Sequence, residues 1–251
     1  MKLNVVIGRF QPMHNGHVEL IQHALNTADT TLVLIGCSEK DGYSKKNPFT
    51  FEERSALIHE HFSNADIVTF PLTDISCDKA WVELTRQAIS RLAGDKYSEI
   101  SFVCCNKDSE TTASNNLLSG YYSTEFLEFK YTLNATDLRE KFLNGDLKYI
   151  TGIPHVTQQF LAQVEEKLIH DSQTIVSMLE AGETSINTAA VSADISLPDW
   201  KTSYLYSYID LRLVSCFKCS LYKTPQQFGQ TTTQEVYESL VVCKECRGND
   251  D

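Results

Sequence analysis

Basic residues are the first shortage. The 251-residue chain carries 22 lysines and arginines against 33 aspartates and glutamates, a formal net charge of −11. That excess of negative charge argues against broad, sequence-independent binding to nucleic acid. It still leaves room for a local basic pocket that takes a small phosphorylated ligand. Long apolar runs are also missing: no stretch approaches the roughly 20 residues that a membrane span needs. The opening MKLNVVIGRF has a single positive charge ahead of a short apolar run and lacks the layout of a signal peptide. A soluble, cytoplasmic protein with no membrane attachment is expected. No internal repeat is visible. The composition is ordinary for a globular chain, long enough for one sizeable core plus a small appendage.

Cysteine, by contrast, is plentiful. Cys37, Cys77, Cys104 and Cys105 are scattered, whereas Cys216, Cys219, Cys243 and Cys246 form two C-x-x-C pairs with 23 residues between them. In a chain without an export signal, paired cysteines read as metal ligands rather than disulfides. The spacing is that of a structural four-cysteine zinc site, close to the zinc-ribbon pattern. A module of about 50 residues would need such a staple to fold. Between residues 201 and 251, six basic residues offset six acidic ones, so this module lacks the charge footprint of a nucleic-acid binder. Stability, self-association or contact with a protein partner is its expected role.

The first 130 residues alternate strand and helix patterns. LNVVIG (3–8), TLVLIG (31–36), DIVTFPL (66–72) and EISFVCC (99–105) are short apolar runs suited to buried strands. In HVELIQHALNTA, Leu20, Ile21, Ala24 and Leu25 share one helical face. Thr50 and Glu53 form a capping box that starts a helix at Phe51, and Gly94 stops another over KAWVELTRQAISRLA. Strand, helix, strand at this spacing predicts an α/β fold: a Rossmann-like parallel sheet with helices on both faces and ligands at the C-terminal strand ends. NATDLREKFLNGD predicts a loop entering a short helix that ends near Gly145. A helix follows over IPHVTQQFLAQVEEKLIHDSQTIVSMLEAG, and the stretch from Gly182 to Pro198 reads as a linker. The expected organisation is an α/β domain over 1–170, a helical extension and linker over 171–200, and a zinc-binding module over 201–251.

In GRFQPMHNGH (8–17), Gly8 ends the first strand and Gly16 immediately precedes the first helix, so residues 9–16 are the expected loop between them. Its histidines, His14 and His17, meet backbone N–H groups at a helix start, a setting that favours anions. Zinc would want further ligands nearby, and none lies close in sequence. Spacing alone leaves two readings open, a phosphate cradle and a helix cap at His17.

This stretch resembles the H-x-G-H motif of the nucleotidyltransferase superfamily, in its nicotinamide-nucleotide adenylyltransferase form. KKNPFTFEER (45–54), DISCDKAWV (74–82) and NATDLR (134–139) are similar to that family's further signatures, in the same order, and the likeness covers about residues 1–170. The resemblance implies transfer of AMP from ATP to nicotinamide mononucleotide, giving NAD and pyrophosphate. Catalysis then consists of positioning and charge neutralisation. Carried over by position, His14, His17, Lys46 and Arg139 are the catalytic set, with His17 nearest the reacting phosphorus. Gly8, Arg9, Phe10 and Thr136 would hold the ATP phosphates, and Arg9 would bridge the two substrates. Asn106 and Lys107 would meet the adenosine side. Ile75, Asp78 and Trp81 would hold the nicotinamide, with Trp81 stacking on the ring and Asp78 accepting from the carboxamide NH2. Magnesium would arrive with ATP.

Two departures stand out. Lys46 sits where many relatives have arginine, and lysine lacks the planar fork. Some relatives carry a Nudix hydrolase after this domain, but no G-x5-E-x7-R-E-x-x-E-E pattern follows residue 150. The alternatives are a nucleotide-sensing regulator with a zinc ribbon, or an adenylyltransferase acting on nicotinate mononucleotide or another phosphate acceptor. Homo-oligomerisation is expected.

Overall fold

A computed structural model describes residues 1–38, 44–105, 116–128, 134–144, 146, 150–183, 185–210, 212–215, 221–225, 230, 232–234 and 243. In chain order the elements are β1 (Lys2–Gly8), α1 (Asn15–Asn26), β2 (Thr30–Gly36), α2 (Phe51–His61), β3 (Ile67–Leu72), α3 (Asp78–Ala93), β4 (Glu99–Cys105) and β5 (Ser123–Leu127). They continue with α4 (Ala135–Leu143), α5 (His155–Glu180), α6 (Ile186–Ser192), α7 (Asp199–Asp210), β6 (Val214–Ser215) and β7 (Tyr222–Lys223). Two compact units result, Met1–Leu161 and Ala162–Asp251, with the division inside α5.

The first unit is built on a parallel sheet of order β3-β2-β1-β4-β5. Alternation along the central strands sorts the core into two layers. Val6, Val33 and Ile35 face Leu20, Ile21 and Ala24 of α1 and Leu57 and Ile58 of α2. Val5, Leu32 and Leu34 point the other way, onto Val82, Ile89 and Ala93 of α3. Both faces are covered, which is why β1 and β2 read as continuous apolar runs rather than alternating ones. Cutting any of these buried leucines to alanine would cost about 2–5 kcal/mol. The chain moves outward from β1 to β3, then crosses back to β4 on the other side of β1. The crevice at that reversal, beyond the C-terminal strand ends, is where such sheets take ligands.

The expected α/β, Rossmann-like sheet is present, and its strands β1 to β4 lie where the apolar runs are. Thr50 and Glu53 cap α2 reciprocally, and α3 ends at Gly94 with φ of 52°. Three local readings need correction. The first helix starts at Asn15, one residue before Gly16, and its N-cap is His14 rather than His17. β5 has no counterpart among the predicted strands: it is an edge strand whose five residues are all at least partly exposed, so it carries little apolar pattern. The stretch read as a linker holds α6, with Ser185 and Thr188 in a capping box. Ile186, Ala189 and Ala190 are buried there at i, i+3 and i+4, and small alanines give that periodicity little weight.

The second unit gathers Ile175, Val176 and Leu179 of α5 with α6, Leu205 of α7 and Leu213. β6 and β7 pair antiparallel. Cys243 is buried, while Cys216, Cys219 and Cys246 lie outside the described residues. Among the described residues, no helix is long and apolar enough to cross a membrane.

Candidate active site

The loop from Arg9 to His14 leaves β1 at its C-terminal end and enters α1. His14 and His17 cap that helix with each other. The His14 amide donates to His17 Nδ1 at 3.3 Å, and the His17 amide donates to His14 Nδ1 at 3.4 Å. Their rings stack with centroids 3.7 Å apart at 23°. A neutral imidazole whose Nδ1 accepts carries its proton on Nε2, so this bonding assigns the Nε2–H tautomer to both rings. Two N–H donors thus sit beside a helix N-terminus whose first turn holds no acidic residue. Such a corner attracts anions.

Phe10 supports it from below. Its side chain is fully buried at a φ of 53°, with its ring 4.6 Å from that of His17. A Cβ on Gly8 would come within 2.9 Å of the Phe10 ring, so the ring can fold back only over a glycine. Phe10, expected at the phosphate site, therefore has no side-chain surface to offer a ligand.

Two further segments are tied to this loop by buried polar side chains. Gln11 is 1% exposed, and its side-chain amide donates to the Phe49 carbonyl at 2.7 Å and accepts from the Phe49 amide at 3.0 Å. Arg139 donates to the Gln11 carbonyl at 2.6 Å and to Thr136 Oγ1 at 3.0 Å. Asn134 caps α4 by accepting from the Thr136 amide at 3.0 Å, which fixes the turn that carries both residues. Thr136 and Arg139 do share a face. Burial, and then the nearby Arg9 charge, pull the Arg139 guanidinium down from 12.5 to about 10. It remains charged at neutral pH, and the nearby Glu140 carboxylate offsets part of the shift.

On the α3 side of the same strand ends lies a cavity of about 300 Å3. Gly8 and Arg9 line it from the end of β1 and the loop that follows, Gly36 and Cys37 from the end of β2 and just beyond it, Asp74 and Ile75 from the segment after β3, and Asp78 and Trp81 from α3. Lys46 also lines it. Cys37 donates its thiol proton to Asp74 at 3.4 Å. Trp81 packs its half-buried ring against the lower core while facing this space, so core packing and cavity lining are both true of it.

The three residues expected around the nicotinamide therefore share one cavity with Arg9 and Lys46. His14, His17, Thr136 and Arg139 gather at the neighbouring corner and do not line it. Arg9 belongs to both, lining the cavity while its charge acts on Arg139. Asn106 and Lys107 lie outside the described residues. Among the described residues, no group of three or more His, Cys, Asp or Glu side chains converges as a metal cage.

Sequence reasoning missed Gln11 and Arg54. Arg54 is fully buried, yet its Nη1 donates to the Arg9 carbonyl at 2.6 Å and to the Gly36 carbonyl at 2.8 Å. The signal was an arginine inside the N-P-F-T-F-E-E-R stretch, on the helix face otherwise marked by Leu57 and Ile58.

A family model described as cytidylyltransferase-like matches residues 5–141, more than half of the chain. The chain is 30% identical over 169 residues to the nicotinamide/nicotinic acid mononucleotide adenylyltransferase of Acinetobacter baylyi, covering 66% of this chain and 88% of that protein. It is 22% identical over 212 residues to the nicotinamide-nucleotide adenylyltransferase of Thermococcus kodakarensis, covering 80% of this chain and 100% of the other. Among solved structures, a bifunctional NMN adenylyltransferase/ADP ribose pyrophosphatase from Francisella tularensis shares the fold, with a TM-score of 0.57 and 22% identity. The match takes in 72% of this chain and 55% of that one. A complex of the Francisella protein with AMP and a manganese ion gives a TM-score of 0.55 at 23% identity, covering 73% of this chain and 57% of that one. The chain belongs to the cytidylyltransferase-like family and, within it, to the nicotinamide-nucleotide adenylyltransferases.

Proposed function

We propose that this enzyme joins nicotinamide mononucleotide to the adenylyl group of ATP, releasing pyrophosphate and forming NAD. One observation carries the assignment to this site. Arg9 stands between a cavity lined by Trp81 and Asp78 and a cationic corner at a helix N-terminus, so two phosphorylated substrates can meet end to end there. A 5′-phosphate oxygen of the mononucleotide attacks the ATP α-phosphorus in line. The new P–O bond forms as the bond to the bridging oxygen breaks, and pyrophosphate departs with that electron pair. The attacking phosphate is already an anion, so no protein base is required. The protein's part is to align the two phosphates and offset the charge that builds on them.

His17 and His14 would donate Nε2–H to the reacting and leaving phosphates. Arg139 and Thr136 would hold the β- and γ-phosphates, and Lys46 would add charge from the cavity side. Trp81 would stack on the nicotinamide ring between contacts from Ile75 and Asp78. The Asp78 carboxylate would accept from a carboxamide and repel a carboxylate, which favours the amide over the acid mononucleotide. Magnesium would enter with ATP, held largely by phosphate oxygens and water. The two C-x-x-C pairs, including buried Cys243, would hold one structural zinc ion in the last module, and metal analysis of the purified protein should find about one zinc per chain.

The test is dinucleotide formation with release of pyrophosphate from ATP, magnesium and either mononucleotide, the amide giving NAD and nicotinate mononucleotide giving the corresponding nicotinate dinucleotide. The expected result is NAD from the amide substrate, with a slower reaction on nicotinate mononucleotide. His17→Ala should lower kcat by about 100-fold or more. No product from either mononucleotide would overturn the assignment, and a near-normal rate in His17→Ala would remove that residue from the phosphate site.

A further inference from the structure

Arg54 is fully buried on α2, yet its polar head spans the ends of two strands. Nη1 donates to the carbonyls of Arg9 and Gly36, at 2.6 and 2.8 Å, while Nε donates to the Thr50 carbonyl of its own helix at 3.2 Å. The two distant carbonyls belong to residues that also touch each other. A Cβ on Gly36 would lie 3.8 Å from Arg9 Cγ and 3.8 Å from the Gly8 carbonyl, so the aliphatic stem of Arg9 runs across the bare face of Gly36. Both residues then line the cavity. A single guanidinium nitrogen thus fixes the backbone from which Arg9 starts and the backbone over which it passes.

We propose that Arg54 is a positioning residue for adenylyl transfer, one that aims the Arg9 side chain into the cavity without itself meeting a substrate.

The residue type fits this task. A guanidinium presents its donors in a rigid plane, so Nε can stay on the helix while Nη1 bridges two carbonyls. A lysine at the same place has one nitrogen at the end of a flexible stem and cannot keep that division. Small errors of direction matter here, because the catalytic benefit of a phosphate-binding arginine depends on alignment within about 1 Å. Arg9 is the residue through which such an error would pass, since it serves both the cavity and the corner that holds Arg139.

The inference rests on the adenylyltransferase reading, and the experiment separates the two. A double-mutant cycle over wild type, Arg54→Lys, Arg9→Ala and the double variant is read by steady-state kinetics well below each melting temperature. Calorimetric binding of nicotinamide mononucleotide reads the same cycle without turnover. Arg54→Lys should lose about tenfold or more in kcat/KM. In the Arg9→Ala background the same change should cost less than about twofold, because the group it positions is gone. Independent, multiplying losses would overturn the proposal, as would an Arg54→Lys protein that melts earlier but keeps wild-type kinetics and binding. Should the lysine variant not fold, Arg54→Met, which keeps most of the volume, enters the same cycle. A wild type that binds the mononucleotide yet forms no NAD would sink the functional reading while the binding cycle still decides the case of Arg54.

Discussion

His14 and His17 use their two ring nitrogens for different purposes. Nδ1 of each closes the reciprocal cap of α1, and the remaining proton is thereby placed on Nε2, where it can be offered to a phosphate. Helix capping and phosphate binding, which spacing in the sequence leaves as alternatives, are compatible in this geometry because one assigns the tautomer that the other needs. The two roles can be separated by substitution. Asparagine is a good N-cap, so His14→Asn should keep most of the stability, whereas His14→Ala should lose about 1 kcal/mol. Both should lose most of the activity, since neither retains a donor at the Nε2 position. Urea denaturation and NAD formation on the same preparations read the two effects. A wild-type rate in His14→Asn would reduce the residue to a cap.

At the level of elements, the legible parts of the chain were those whose local pattern matches their final contacts. β1 to β4 are apolar because both sheet faces are covered, and the Thr50–Glu53 cap of α2 is written within four residues. β5 and α6 escaped notice because an exposed edge strand and an alanine-rich helix leave faint periodicity. The candidate site divides the same way. His14, His17, Trp81 and Arg139 are visible in short motifs, but Gln11 and Arg54 act on backbone groups that lie 18 to 45 residues away, which no local pattern reports. Gln11 is the joint between the β1–α1 loop, the Phe49 segment and α4. Replacing it with leucine would fill the space but strip the Phe49 amide and carbonyl of their buried partner, at a cost of about 2 kcal/mol or more. The denaturation midpoint should fall while the slope stays constant. Activity should fall too, at temperatures where the variant is fully folded, because the loop carrying His14 loses one of its ties.

Across the whole molecule, a chain with a net charge of −11 still brings basic side chains together at the candidate site. Arg9 and Lys46 line the cavity at the C-terminal edge of the sheet, and Arg139, close enough for the Arg9 charge to act on it, is tied to the loop that enters α1. Arg139 records the strain of that arrangement: burial and the Arg9 charge hold it at about 10, below its ordinary 12.5. A base whose folded value is lowered binds protons less readily in the folded than in the unfolded state. Its contribution therefore opposes folding at neutral pH, and that penalty fades only as the pH rises through about 10. A polyphosphate placed between the two guanidiniums would add to the counter-charge that Glu140 supplies and offset the penalty. Pyrophosphate, a product in the proposed reaction, should raise the melting temperature at neutral pH. At 100 times its dissociation constant, linkage makes this a gain of about 2.7 kcal/mol. The gain should shrink in Arg139→Met and in Arg9→Ala, and weaken with added salt far less than an exposed pair would. Sulfate at equal ionic strength is the control for nonspecific ion effects, since it offers one charged centre where pyrophosphate offers two. An equal shift with both anions, unchanged in the arginine variants, would mean that the corner does not bind a polyphosphate.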